Sequence, residues 1–396
     1  MSLQAAGPAL GIAALALWCA SFVLMLRLPS FERAAGGLDR LYWLHHVCGT
    51  LAYLVMLAHP LALAAQAFAA GDWPAAAAIA TPPGQGAAMR AGWVALALLM
   101  AMMVATFWLP LGYSRWRAIH VVTAPAFAFG VGHAWSFAGP GTRVALAAMT
   151  AIALAALAWR YALGRGWVLA HPYRVARVAH PGPGLLDLDL ESAGAPLRWR
   201  PGQFVFVAFH DGPGWRGCGE YHPYTIAGPA PRGGMRMLIR SLGDCTDHLQ
   251  TVRVGVEATV QGPYGAFLER CDPRRAQLWV AGGIGITPFL AALADHAGTL
   301  AQPIDLVHVY RPGDLPAPAC LPQPPRPLPD GARLHAIESA GDAEVLWSTL
   351  ARRVGTLAGR QAFLCGPPSL VDALRRRLVA AGVPPRDIHS ERFDFR

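Results

Sequence analysis

The feature that most constrains this chain is where it carries no charge. Of 33 arginines and 24 acidic residues, only 12 fall in positions 1–165. A water-facing surface is not built that way. Charge-free stretches run up to residue 26 and over 41–71, 91–114, 118–142 and 144–159. A helix crossing the hydrocarbon core needs about 20 residues. Each stretch is therefore an expected span, the last with Arg143 and Arg160 reaching outward from its ends. Asp72, Pro74, Pro82, Pro83 and Gly84 interrupt 66–88, which reads as an external loop. The first stretch has no early basic region and reads as a retained helix rather than a cleaved leader.

Arginine placement sets the expected orientation. If the charged half is cytoplasmic, the inner loops hold Arg27, Arg33, Arg40, Arg115, Arg117, Arg160 and Arg165, and the outer loops only Arg90 and Arg143. The net charge of +9 divides into +6 for 1–165 and +3 for the rest. That fits a topology signal and argues against a nucleic-acid platform. The chain is thus expected to be multi-pass in a bacterial-type inner membrane, in contact with lipid, its C-terminal domains inside. Seven cysteines, at 19, 48, 218, 245, 271, 320 and 365, form neither a C-x-x-C pair nor an iron–sulfur run, so free thiols facing a reducing compartment are expected.

Five histidines lie within the expected spans. His45 and His59 are 14 residues apart, about 40° short of four turns and about 21 Å along a helix. His46 points well away from that face. His120 and His133 are 13 residues apart, a poor register for an ideal helix, and Pro125, Gly130 and Gly132 are expected to rewind it locally. With both spans running outward, His45 is level with His120 and His59 with His133. Imidazole in hydrocarbon needs a partner. Hydrogen bonds to one another or to carbonyls are one answer; two stacked haems, each between one histidine of either span, are the other, and four histidines at matched depth favour it.

Beyond residue 165 the pattern becomes globular. Over 172–270, short apolar strands such as 185–190, 203–209 and 235–239 alternate with Gly/Pro turns, as in a small antiparallel barrel. After Arg275 the order is strand, glycine-rich turn, helix: 278–281, then Gly282-Gly283-Ile284-Gly285-Ile286-Thr287-Pro288. Further strands at 304–310 and 362–365 complete an open α/β sheet, whose ligands bind beyond the strand carboxyl ends. The expected domains are a helical membrane bundle over 1–165, a barrel over 166–272 and an α/β domain over 273–396.

Six motifs occur in order behind the histidines: Pro201-Gly202-Gln203-Phe204, His222-Pro223-Tyr224-Thr225-Ile226, Gly262-Pro263-Tyr264-Gly265, the 282–288 turn, Cys365-Gly366-Pro367-Pro368 and Glu391-Arg392-Phe393-Asp394-Phe395. On these the chain resembles the ferric reductase and NADPH oxidase superfamily, in which a bis-haem transmembrane domain is fused to a ferredoxin–NADP reductase-like module. The likeness implies two b-type haems on His45/His120 and His59/His133. It implies FAD on His222, Pro223, Tyr224 and Thr225, its pyrophosphate held by Arg240, Gly243 and Thr246, with Gly262, Tyr264 and Gly265 adding contacts. It implies NADPH or NADH on Gly282, Gly283 and Gly285, bordered by Thr287, Pro288, Gly366 and Pro367, with Arg311 reaching a 2′-phosphate. It implies that Cys365 lies near hydride transfer and that Phe395 covers the flavin; Arg143, on a short outer segment, either meets a small extracytoplasmic acceptor, ferric chelate or dioxygen, or snorkels at the end of its span. Five spans rather than the oxidases' six are expected. An alternative within the same likeness is a membrane module feeding electrons to a separate periplasmic oxidoreductase.

Overall fold

The computed structural model describes residues 3–81, 86–163, 170–295, 301–313 and 328–392. The chain forms two compact units. The first holds α1 (Leu3–Leu24), α3 (Leu38–Ala69), α4 (Trp73–Ala80), α5 (Ala87–Phe107), α6 (Tyr113–His120), α7 (Thr123–Phe137) and α8 (Pro140–Ala158). Among the described residues, four helices are long and apolar enough to cross a bilayer, those containing Ala6–Leu24, Arg40–Ala69, Ala87–Phe107 and Pro140–Tyr161. Their interior is small: Trp18, Phe127, Leu99 and Leu146 are buried, while Trp43, Leu61, Phe107 and Val144 lie open on the outside. An apolar exterior over so thin a core suits lipid, not water.

The expected count of five spans is corrected here, because 118–142 is not one helix. α6 ends at His120 and α7 begins at Thr123. Pro125 has no N–H for the Val121 carbonyl; the Ala124 N–H takes it instead at 3.1 Å, and the Val122 N–H bonds the Ile119 carbonyl at 2.9 Å. These tighter i→i−3 bonds, with the Thr123 hydroxyl donating to the His120 carbonyl at 2.8 Å, break the register between the two histidines. In the described part of 66–88, α3 runs on to Ala69, α5 begins at Ala87, and between them lies α4, an eight-residue helix whose Ala75 N–H is capped by Asp72 at 3.0 Å.

The second unit holds α2 (Pro29–Ala35) and everything from β1 onward. Strands β1 (Ala170–Gly182), β2 (Leu185–Ser192), β3 (Phe204–Phe209), β4 (His222–Ala230), β5 (Gly234–Arg240) and β6 (Glu257–Tyr264) close an antiparallel barrel in the order β1-β2-β5-β4-β3-β6. The fully buried Val175, Leu188, Val207, Met237 and Val260 fill it. Behind α9 (Asp244–Leu249) comes a parallel sheet of β7 (Gln277–Gly282), β8 (Ile304–Tyr310), β9 (Ala332–Glu338), β10 (Gln361–Gly366) and β11 (Ile388–Arg392), ordered β11-β10-β7-β8-β9. Helix α10 (Thr287–Asp295) covers one face; α11 (Ala343–Val354) and α12 (Pro368–Ala380) cover the other. Barrel and sheet share a core, with Ala227, Leu238 and Phe267 from the barrel packed among Phe289, Leu293 and Phe363.

Candidate functional site

In the helical unit the histidines come together in two pairs. The His45 and His120 ring centroids are 6.1 Å apart, and those of His59 and His133 are 6.2 Å apart. An iron between two imidazoles, about 2 Å from each nitrogen and roughly 1 Å more from each ring centre, separates centroids by about 6 Å. Tautomers fit as well. His45 Nδ1 lies 3.0 Å from the Ser21 carbonyl, His59 Nδ1 2.8 Å from that of Gly7, and His133 Nδ1 2.9 Å from that of Ala88. A carbonyl only accepts, so each Nδ1 carries the proton and leaves Nε2 with its lone pair for a metal. Such bonds orient the ring and raise its basicity as a ligand.

His120 differs. Its Nδ1 is buried with no hydrogen-bond partner among the described residues. The ring is held by stacking on Trp116 at 4.7 Å and 27°, and Trp116 is anchored by its indole N–H to the Thr106 hydroxyl at 3.2 Å. His46 lies 5.8 Å from His45 and not in either facing pair. The donor set and spacing fit two six-coordinate haems. The outer pair is also crowded by backbone. A Cβ on Gly92 would stand 2.8 Å from His133 Nδ1, and one on Gly11 3.2 Å from His59 Nδ1. Arg143, in the first turn of α8, folds back on Trp135, donating to its carbonyl at 3.4 Å with the guanidinium 5.7 Å from the indole centre.

In the barrel, β4 pairs with β3 so that Thr225 faces Phe204, Tyr224 faces Val205, Pro223 faces Phe206 and His222 faces Val207. Alternation sends Tyr224 into the barrel core and Thr225 to the other face. The Tyr224 ring lies 6.4 Å from Phe209, and burial pushes its phenol well above the ordinary value, with Cys218 and Cys245 adding to the shift. Arg240 ends β5, and Gly243 stands just ahead of α9. There the Thr246 hydroxyl accepts the N–H of Leu242 at 2.8 Å and of Gly243 at 3.0 Å, and donates to the Gly243 carbonyl at 2.9 Å. Its work is thus to shape the loop that follows Arg240. A guanidinium beside such a turn is a donor set suited to a pyrophosphate.

The 262–265 turn holds a cis Gly262–Pro263 bond, and Gly265 has φ +94°. Tyr264 is buried between Phe204 at 5.9 Å and Phe206 at 5.6 Å, so its ring packs the barrel wall. The Gly265 N–H donates to Glu32 Oε1 at 3.0 Å across 233 residues of sequence, and Glu32 is only 1% exposed. No local pattern in the sequence marks Glu32, which sits in the short helix α2, as a partner of the barrel.

In the sheet, the chain steps outward from β7 to β8 and β9 and then returns to place β10 on the other side of β7. The switch point between β7 and β10 is where such folds open a crevice. Here their ends nearly touch. A Cβ on Gly285 would lie 2.3 Å from the Cys365 carbonyl oxygen, and one on Gly366 3.0 Å from Gly282 Cα. Gly282, Gly285 and Gly366 are therefore packing necessities. Gly283, at φ +55° with nothing near its missing Cβ, leaves its turn open. Its carbonyl is 2.9 Å from Nε2 of buried His308, a second residue that no local pattern marks. Thr287 and Pro288 are buried at the start of α10, with the Thr287 hydroxyl on the Ile284 carbonyl at 3.1 Å. Pro367 follows the crevice, and Arg311 is exposed one residue beyond β8. Cys365 is enclosed at the end of β10, and burial, with Glu391 nearby, pushes its thiol well above the usual range. It is a neutral neighbour of the crevice, not a thiolate. Phe395 lies outside the described residues.

Residues 10–131 match the family described as ferric reductase like transmembrane component, and 170–267 match an FAD-binding domain family. Among curated proteins, the ferredoxin–NAD(P)(+) reductase component of the naphthalene 1,2-dioxygenase/salicylate 5-hydroxylase systems of Ralstonia sp is 27% identical over 253 residues, 57% of this chain and 71% of that one. Reductase component 2 of terephthalate 1,2-dioxygenase from Comamonas sp is 26% identical, over 54% of this chain and 65% of its own length. The chain thus spans about two-thirds of the length of these relatives. Among solved structures, a ferredoxin reductase in carbazole 1,9a-dioxygenase matches at 22% identity and a TM-score of 0.45, over 57% of this chain and 69% of that one.

Proposed function

We propose that this chain, a ferric reductase-like transmembrane domain joined to an FAD-binding module, carries electrons from cytoplasmic NAD(P)H through FAD and two b-type haems to a small acceptor on the opposite face of the membrane. The two facing histidine pairs carry this reading, since their 6.1 and 6.2 Å centroid separations suit bis-imidazole iron. Hydride delivers two electrons together and haem iron takes one; bound FAD supplies the conversion.

The chain's own residues bind and orient. Ser21, Gly7 and Ala88 carbonyls fix the tautomers of His45, His59 and His133, and Trp116 aligns His120. The open Gly283 turn and the α10 N-terminus offer backbone N–H groups to a nicotinamide nucleotide's pyrophosphate. Arg240 and the loop closed by Thr246 do the same for FAD. His45 with His120 and His59 with His133 would hold the two irons, which would supply one-electron transfer to an acceptor that the histidines keep from binding the metal.

The deciding experiment uses sealed vesicles with NADPH on the side of the globular unit only. An impermeant ferric chelate should be reduced from the opposite face alone; reduction confined to the NADPH side rules the reading out. A second reading, a module that feeds a separate periplasmic oxidoreductase, draws on relatives named as reductase components of larger systems. It is favoured if the purified protein reduces its haems promptly with NADPH yet passes electrons only slowly to ferric chelate and to dioxygen.

A further inference from the structure

Three residues from separate parts of the barrel unit converge beside the flavin-receiving strand, one of them its first residue. Cys218 lies in the β3–β4 loop, His222 opens β4, and Cys245 sits in the first turn of α9. Their donor atoms all lie within 4.8 Å of one another. A tetrahedral ion about 2.3 Å from sulfur and about 2.0 Å from nitrogen holds its ligands roughly 3.5–3.8 Å apart. Closing the remaining 1 Å or so asks for side-chain rotation alone. Glu220 adds an oxygen, its carboxylate 3.9 Å from His222 Nε2.

The loop bearing Cys218 is fastened to the helix bearing Cys245. The buried Trp215 stacks on His248 of α9 at 5.1 Å and 13°, and its indole N–H donates to the Thr251 hydroxyl at 3.1 Å. His248 Nε2 returns a bond of 2.6 Å to the Arg216 carbonyl. The Gly217 N–H donates to Asp211 at 2.9 Å, and a Cβ on Gly217 would strike the Phe209 carbonyl at 2.2 Å. This scaffolding leaves the two sulfurs and the imidazole little freedom to separate, which is what a preorganised site requires.

We infer that Cys218, His222 and Cys245 form a binding site for a thiophilic divalent metal ion, zinc, with the Glu220 carboxylate or water as fourth ligand. Two thiolates and an imidazole are the soft and borderline donors zinc selects. The ion ties the β3–β4 loop, the start of the flavin-receiving strand and α9 into one piece, and it claims His222, which then does not touch flavin. The sequence hides the site, because Cys218 and His222 are four residues apart while Cys245 comes 23 residues later.

The test uses the full-length protein, tag removed, purified under reducing conditions and dialysed. Metal analysis should find one zinc per chain. Replacing zinc with cobalt(II) should give the intense visible bands and sulfur-to-metal charge-transfer absorption of a tetrahedral thiolate site. The Cys218→Ser/Cys245→Ser variant should lose both signatures, and the wild-type cobalt spectrum decides the matter even if that variant folds poorly. Wild-type protein that holds no zinc and gives only octahedral cobalt absorption overturns the inference. So does zinc retained at full stoichiometry by the double variant, or a Cys218–Cys245 disulfide in protein kept reduced throughout.

Discussion

Gly92→Ala tests the proposed haem site at His59 and His133 without replacing either histidine. The new methyl would sit 2.8 Å from His133 Nδ1, 2.9 Å from Cγ and 3.0 Å from Cε1, where ordinary contact begins at 3.4 Å. The ring must retreat by about 0.6 Å, more than the roughly 0.5 Å within which a metal-binding constellation stays productive. Retreat also stretches the 2.9 Å bond from Nδ1 to the Ala88 carbonyl, a loss of about 1 kcal/mol. Disturbing such an orienting bond typically weakens a metal site 10–100-fold. The purified variant should therefore hold about one haem per chain where the parent holds two, with the spectrum of the inner haem intact. Gly132→Ala is the control: it lies on α7 one residue before His133, with nothing within 4 Å of its missing Cβ, and should keep both haems. Pyridine haemochrome stoichiometry and low-temperature optical spectra read the difference. Two haems with parental spectra in Gly92→Ala, or equal losses in both variants, would refute the placement of His133 at an iron.

Asp305 is fully buried and bonded to Arg333 at 2.8 Å, His335 at 2.8 Å and Arg360 at 2.6 Å. Burial alone would raise its pKa, but the bonds from His335, Arg333 and Arg360 outweigh it and hold the carboxyl below its ordinary value; its stabilisation is complete above the unfolded pKa of about 3.9 and fades as pH falls through the lower folded value. Asp305→Asn should cost about 3 kcal/mol at neutral pH, with a smaller loss on acidification than the parent, as read by fluorescence-detected unfolding. Arg311→Ala should raise KM for NADPH about ten-fold and leave that for NADH unchanged in steady-state assays, if its guanidinium meets a 2′-phosphate; equal effects on both nucleotides count against that contact. Arg143→Ala should slow reduction of an anionic ferric chelate several-fold, with haem reduction by NADPH at the parental rate, because a cation beside developing negative charge lowers the barrier; stopped-flow traces that slow in both phases would mean a packing role on Trp135.

The sequence made the helical unit legible because lipid imposes a simple rule: charge stays out and polar side chains need partners. Counting turns placed His45 and His59 on one face, and Pro125 marked the place where the second pair's register had to change. How it changes was not legible. A rewound single helix and two helices split at Val121–Val122 differ only in which N–H captures the carbonyl that Pro125 cannot serve. The barrel and the glycine turn were legible from alternation and turn chemistry, but contacts between distant segments were not. Glu32 meets Gly265, and His308 meets Gly283, across 233 and 25 residues of sequence, and no local pattern encodes either. Thr246 shows a subtler limit: its residue type suits a phosphate contact, yet the structure occupies its hydroxyl with the loop's own N–H groups.

The two histidine levels are not built alike, and the difference bears on electron flow. His59 and His133 each have Nδ1 tied to a carbonyl, at 2.8 and 2.9 Å, so both rings of that pair are held in orientation by a second bond. At the inner level only His45 is tied in this way, while His120 Nδ1 has no partner among the described residues. A more basic imidazole stabilises the oxidised iron and lowers its potential. If the two pairs hold haems as proposed, the asymmetry in orienting bonds, which raise a ligand's basicity, would make the haem at His45/His120 the easier to reduce and would favour its filling first from the flavin side. Passage outward would then be uphill by that margin and would have to be drawn by an acceptor that removes the electron as it arrives. A fast diffusible oxidant at the outer edge meets that demand. A slow one would leave the inner haem reduced in the steady state, a condition the optical spectrum of the working protein reports directly.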